Sequence, residues 1–236
     1  MDDRCQTCGR KRRFARALGY REQLRLLQAQ LGAIQRVNRA AVVVVLDGRD
    51  AAGKTGTIRR MVREMDPALY RVHHSTAERP APVDLQPAPG RLVIYDRSWW
   101  SRAVAVLADS GQQLDAEAQE ERELDHAAAI DQKMRASGAV LLKFWCELSR
   151  PEQERRLKQR AKDQRRRWRL SDRDWRALER HDEYTAAFAE VRDDSWTLVS
   201  FEDKRAGRLE VLDVVLGAML EANAPAEEPG RSVVQG

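Results

Sequence analysis

A glycine, four variable residues, a second glycine, a lysine and a threonine run from Gly48 to Thr55. This spacing fits a phosphate-binding loop. Glycines let backbone N–H groups curl round a phosphate without a Cβ clash, and the amides of Ala51, Ala52, Gly53 and Gly56 extend the same cradle. Lys54 brings positive charge to phosphoryl oxygens, and the Thr55 hydroxyl suits magnesium. A helix starting here would point its positive end at the same place. Alone, the pattern also fits a glycine turn on an unrelated αβ unit. Asp50 is the unusual member, since an anion beside phosphates costs Coulomb energy. It makes sense facing magnesium or taking a hydrogen bond from an acceptor; a loop-stabilising contact to backbone N–H groups is the other reading.

A second set follows at Asp96-Arg97-Ser98. A carboxylate ending a neighbouring strand can hold magnesium beside a phosphate loop, and Arg97 could clamp a transferring phosphoryl group. In isolation the triplet reads as a helix N-cap with a surface arginine; beside the loop, the catalytic reading is favoured.

These residues need a scaffold. Residues 41–46 (AVVVVL) are apolar throughout, as in a strand covered on both faces. Further short apolar runs cover 70–74, 92–95, 140–145 and 196–201. Helical patterns cover 21–37, 54–65, 99–109, 117–136, 151–168, 172–192 and 204–221. Strands alternating with helices predict a parallel sheet in an α/β domain. Pro80, Pro82, Pro87 and Pro89 exclude a regular helix between the second and third strands. The leucines of the 21–37 helix fit either packing within the subunit or a homo-oligomer interface. Residues 1–20 read as a basic extension, 21–222 as one domain, and 223–236 as a loose tail.

With 42% hydrophobic residues the 236-residue chain can bury a sizeable core. No apolar run exceeds the seven residues of Ala40–Leu46, so no membrane span and no membrane partner are expected, and the polar N-terminus points to a soluble, cytoplasmic protein. The net charge of +5 is uneven. Residues 150–180 carry thirteen basic and six acidic side chains, a local +7, leaving the remainder at −2. Such a block fits either an anionic partner or a solvated helix face. Cys5 and Cys8 form a C-x-x-C without a second pair, so a zinc site is not expected, and Cys146 reads as a core residue.

Four blocks in order resemble polyphosphate kinase family 2, the polyphosphate:nucleotide phosphotransferases. They are Gly48-Arg-Asp-Ala-Ala-Gly-Lys-Thr-Gly-Thr-Ile58 and Asp96-Arg-Ser-Trp-Trp-Ser-Arg-Ala103; then Pro151–Arg156 with Arg167-Trp-Arg-Leu-Ser171 and Asp182-Glu-Tyr-Thr185; and finally Glu202–Leu209. The similarity spans roughly residues 14–221. Departures are Thr55 for a usual glycine, Trp100 and Ser101 for Tyr and Asn, His181 for Trp, and a shortened passage at 76–89. That passage lies on the acceptor side in the family, and Glu78 and Arg79 are candidate remnants of the longer form.

The resemblance implies a three-layer P-loop kinase-like fold: a five-stranded parallel sheet with a helical lid at about 150–180. It implies magnesium-dependent phosphoryl transfer between inorganic polyphosphate and a nucleotide (AMP, ADP or GDP), with nucleic acid not the expected partner. Lys54 and the loop amides of Gly48, Ala51, Ala52, Gly53, Thr55 and Gly56 would hold phosphates. Asp50, Asp96 and Thr55 would serve the metal, and Arg97 the transferring group. Arg102, Arg166, Arg167 and Arg169 would meet polyphosphate, whose repeating charge suits guanidinium forks. Arg10–Arg13 could add to that track, though a solvated basic terminus fits better. The alternatives are a thymidylate kinase-like P-loop enzyme, and a non-catalytic polyphosphate- or nucleotide-binding protein with a reduced acceptor wall.

Overall fold

The structure, a computed structural model, describes residues 18–76, 81–109 and 116–224, with Ala116 and Arg169 in backbone only. Cys5, Cys8, Arg10–Arg13, Glu78, Arg79 and most of the C-terminal tail lie outside them.

Five strands form one fully parallel sheet in the order β2-β3-β1-β4-β5: β1 (Val42–Gly48), β2 (Tyr70–His74), β3 (Leu92–Asp96), β4 (Val140–Glu147) and β5 (Trp196–Ser200). The β-branched run at 42–46 becomes the central strand because it must be covered on both faces, and every residue from Val42 to Leu46 is fully buried. Alternation splits it between two cores. Val42, Val44 and Leu46 meet α1 (Tyr20–Val37), α2 (Lys54–Met61) and α8 (Lys204–Ala222) on one face. Val43 and Val45 meet α3 (Trp99–Asp109), α4 (Ala116–Ala136) and α7 (His181–Val191) on the other. From β1 the chain crosses to the edge strand β2, comes back to β3 between the two, then passes to the other side of β1 to add β4 and β5. This reversal of strand order leaves a crevice at the carboxyl ends, where α/β sheets bind ligands.

The helix at 20–37 turns Leu27 and Leu31 into the core, with Leu24 and Ile34 partly buried against it, so these leucines pack within the subunit. Cys146 is buried on β4, as expected of a core cysteine. The proline-bearing passage forms no helix in its described part; Ala81, Val83 and Leu85 lie along the second core.

Two expected helices are broken. The 151–168 helix stops at α5 (Arg150–Lys162), because the amides of Arg166 and Arg167 fold back to the Asp163 carbonyl and the Asp163 carboxylate takes the Arg165 amide. Such local side-chain bonding competes with helix continuation. A 3₁₀ turn at Arg167–Arg169 follows. The 172–192 helix divides at Arg180 into α6 (Asp172–Glu179) and α7. A capping box between Ser171 and Asp174 starts α6, and the break lets the buried His181 ring bond the Leu148 carbonyl.

Candidate active site

The loop between β1 and α2 is shaped by residues in the left-handed region: Gly48 (φ 107°), Ala51 (φ 63°) and Gly53 (φ 129°). At Gly48 a Cβ would come within 2.4 Å of the Cys146 carbonyl oxygen on β4, so glycine is required by close approach as well as by φ. Lys54, nearly buried, folds back to donate to the carbonyls of Gly48 (2.6 Å) and Arg49 (2.8 Å). Burial pulls its pKa below the ordinary lysine value despite the opposing charge of Asp50.

At the end of β3, Asp96 accepts a hydrogen bond from the Thr55 hydroxyl (2.6 Å), and His74 Nδ1 of β2 lies 3.3 Å from the same oxygen. Burial pushes the Asp96 carboxyl up, but the bonds from His74 and Thr55 and the charge of Lys54 outweigh it, holding the group below its ordinary range. Asp50 is likewise pushed up by burial and brought down further by Arg97, Lys54 and Arg173. It forms an ion pair with Arg97, whose own backbone sits at φ 70°. Strained backbone of this kind collects at functional sites. In the structure the partner of the Asp50 carboxylate is Arg97.

All five principal candidates, Asp50, Lys54, Thr55, Asp96 and Arg97, line one cavity of about 620 Å³, shared with His74 and Arg173. Ala51, Gly53 and Gly56 also face it, whereas Ala52 is fully buried and Gly48 lines a small neighbouring cavity with Asp50 and Arg97. Two more cavities flank it. One of about 540 Å³ shares Gly56, Arg59 and Arg160 and carries eight cationic side chains, among them Arg166, Lys204 and Arg208, against the single acid Asp163. The other, about 800 Å³, lies beyond Arg97 and mixes apolar walls (Ala81, Val83, Ala105) with Arg102, Glu123 and His126.

The lid candidates therefore separate. Arg166 joins the basic cavity and also pairs with Asp163 at 3.2 Å. Arg167 is exposed on the 3₁₀ turn, and Arg169 is placed by its backbone alone. Arg102 is on α3, away from the lid, with Glu123 at 2.7 Å as its partner in the mixed cavity.

Sequence reasoning passed over the groups that hold the loop. Asp47, fully buried, accepts from the Ser98 amide (2.9 Å) and hydroxyl (2.5 Å) and from Ser101, tying the end of β1 to the start of α3. Burial raises its pKa. Arg49 crosses to Glu147 (2.9 Å), the His181 carbonyl (2.9 Å) and Thr185 (2.5 Å), joining the loop to α7. Arg156 of α5 bonds the carbonyls of Ala52 (3.0 Å), Phe201 (2.7 Å) and Glu202 (3.1 Å), and Glu152 at 2.6 Å. Nothing local marks these partners, except that charged residues flanking apolar strand ends must find one if buried.

Asp96 and Thr55 offer oxygen donors on one edge, the chemistry a hard cation takes. Among the described residues no cluster of three or more His, Cys, Asp or Glu could hold a metal, so an ion here would draw the rest of its shell from substrate and water. Also among them, no helix is long and apolar enough to cross a membrane.

The family model described as Polyphosphate kinase 2 matches residues 14–227. An ADP-polyphosphate phosphotransferase 3 of Rhizobium meliloti (strain 1021) is 32% identical over 232 residues, covering 89% of this chain and 79% of the relative. A GDP-polyphosphate phosphotransferase of Mycolicibacterium smegmatis is 33% identical over 235 residues, covering 90% and 81%. A solved structure from Pseudomonas aeruginosa PA01, assigned to polyphosphate kinase 2, superposes with a TM-score of 0.74 at 28% identity. The alignment takes in 89% of this chain and 48% of that one, so the chain spans about half the length of the solved protein.

Proposed function

The chain belongs to the polyphosphate kinase 2 family, and from that premise we propose that it transfers phosphoryl groups between inorganic polyphosphate and a nucleotide with magnesium present. The observation that carries this reading is the position of the Lys54–Asp96–Arg97 cleft between a strongly basic cavity and a mixed, partly apolar one. A polyanion with no apolar part suits the first. A nucleoside, with a π-face and hydrogen-bonding edges, suits the second. The two substrates then meet end to end at the loop.

In the synthetic direction the terminal phosphoryl group leaves its bridging oxygen and is taken by a terminal phosphate oxygen of the nucleotide. Loop amides and Lys54 hold the non-bridging oxygens, and Arg97 moves from Asp50 onto the transferring group as charge develops there. Asp96 and Thr55 would hold the magnesium, which would supply charge neutralisation, and Asp50, once free of Arg97, would offer a further oxygen donor. AMP, ADP and GDP remain the candidate acceptors. The family assignment argues against the thymidylate kinase-like alternative, and an intact catalytic cleft argues against a purely binding role.

The test is direct. Purified protein with magnesium, long-chain polyphosphate and each of AMP, ADP and GDP, without ATP, should form the next higher phosphate of one of them. Binding without turnover for every acceptor would sink the proposal.

Lys204 adds a pH dependence. Burial, together with Arg156, Arg208 and Arg160, pulls its pKa down to about 8. It is therefore charged below pH 8 and neutral above, and a bound polyanion restores its charge. Polyphosphate affinity should fall by up to about tenfold between pH 7 and pH 9, the ratio set by one unit on each side of that pKa. Polyphosphate KM measured across that range checks it, and Lys204→Met should flatten the profile.

A further inference from the structure

Asp131, on α4, is remote in sequence from every phosphate-handling residue, yet it holds the segment that carries Arg97. One of its carboxylate oxygens accepts from the indole N–H groups of both Trp99 (2.9 Å) and Trp100 (3.0 Å). The other accepts from Lys143 Nζ at 2.7 Å. Lys143 is almost completely buried on β4, and its ammonium lies 4.8 Å from the Trp100 ring centroid and 4.7 Å from that of Trp196. Trp99 and Trp100 open α3, immediately after the Asp96-Arg97-Ser98 turn. The Trp99 and Tyr95 rings, the latter on β3, also pack edge to face with centroids 5.2 Å apart. The first turn of α3 is thus fastened from both sides of the reactive segment.

This fastening matters because Arg97 sits in the left-handed region, where an arginine stays only if its surroundings hold it. Ser98 and Ser101 secure the turn toward β1 through Asp47. The two indoles secure it toward α4 and β4. A core built only for packing would not need a buried carboxylate and a buried lysine here, since apolar residues of like volume would serve as well. What the carboxylate adds is direction: two N–H groups must point at one oxygen, which fixes the rotation of α3 about its axis.

We propose that Asp131 is a positioning residue for phosphoryl transfer, acting through Trp99 and Trp100 on the placement of Arg97, with Lys143 holding the carboxylate in place. The proposal rests on the phosphotransferase reading above, in which Arg97 meets the transferring group.

The primary variant is Trp99→Phe with Trp100→Phe, which removes both N–H donors but keeps two rings and the Asp131–Lys143 pair. It should lower kcat by about tenfold, a value typical of a lost orienting contact, with KM for polyphosphate and nucleotide unchanged within about twofold. In an Arg97→Ala background the same pair of changes should cause no further loss, because the group they position is gone. A normal kcat in the Phe variant overturns the proposal, as does a loss that multiplies in full with that of Arg97→Ala. Wild-type protein inactive with every acceptor would instead overturn the phosphotransferase reading. The positioning role is then decided by a crystal structure of the Phe variant: Arg97 displaced from Asp50 supports it, and an unmoved Arg97–Asp50 pair overturns it.

Discussion

Asp96→Asn should lower turnover by about 10³-fold while leaving polyphosphate binding within about twofold of wild type, the scale seen when one preorganised charge is removed from a reacting centre. Asp96 closes β3 beside the loop and is held ionised by the His74 and Thr55 bonds and by Lys54. Asparagine keeps the shape and one acceptor oxygen for Thr55 but removes the negative charge that a magnesium ion between phosphates requires. Polyphosphate should still enter the basic cavity, none of whose cations contacts Asp96. Initial rates with saturating polyphosphate and acceptor, set beside a direct binding titration, separate the two effects. A near-normal kcat would remove the metal role assigned to this carboxylate.

The second large effect concerns stability. Arg156→Ala should reduce the unfolding free energy by about 3 kcal/mol, at the lower end of the cost of breaking a buried charged contact. The guanidinium is nearly buried and joins three elements: the phosphate loop at Ala52, the β5–α8 connection at Phe201 and Glu202, and its own helix at Glu152. Its loss takes a donor from four backbone carbonyls at once, those of Ala51, Ala52, Phe201 and Glu202. Glu152 keeps only Arg155; its carboxyl, held down to about 2 by hydrogen bonds from Arg155 and Arg156, should titrate higher. For a chain of this size the expected fall in Tm is roughly 6–12 °C. Arg156→Lys should restore only part of the loss, since an ammonium cannot reach these carbonyls with a planar fork. Urea unfolding of the three proteins measures the difference, and a change below about 1 kcal/mol for the alanine variant would show that the loop is held by other contacts.

The two helix breaks show where local reading stops. Residues 151–168 and 172–192 have continuous helical composition, and intrinsic propensity offers no reason to stop at Lys162 or Arg180. The first break depends on Asp163 capturing amides that a helix would otherwise use. The second depends on tertiary partners: Arg180 reaches Asp109 and the Ala108 carbonyl at the end of α3, while His181 reaches Leu148. Arg102 teaches the same lesson at the site. The resemblance assigns it to polyphosphate, and the pitch of α3 gives it Glu123 on α4 as a partner, which nothing in its own stretch of sequence announces.

The amino-acid sequence by itself determined the alternating architecture, the central position of the 42–46 strand, and the five residues that face one another in the cleft. These follow from short-range rules: a β-branched run demands burial on both faces, glycines at set spacing permit a phosphate cradle, and a strand's carboxyl end presents the residue that closes it. Only the tertiary structure decided which of many arginines became structural and which remained available to ligands. Arg49 finds partners 98 to 136 residues away, and Arg156 finds two carbonyls 45 and 46 residues downstream and another 104 residues upstream. Sheet register and helix crossing set those meetings. A guanidinium carries no local mark of them, because its hydrogen-bonding chemistry is the same beside a carbonyl, a carboxylate or a phosphate.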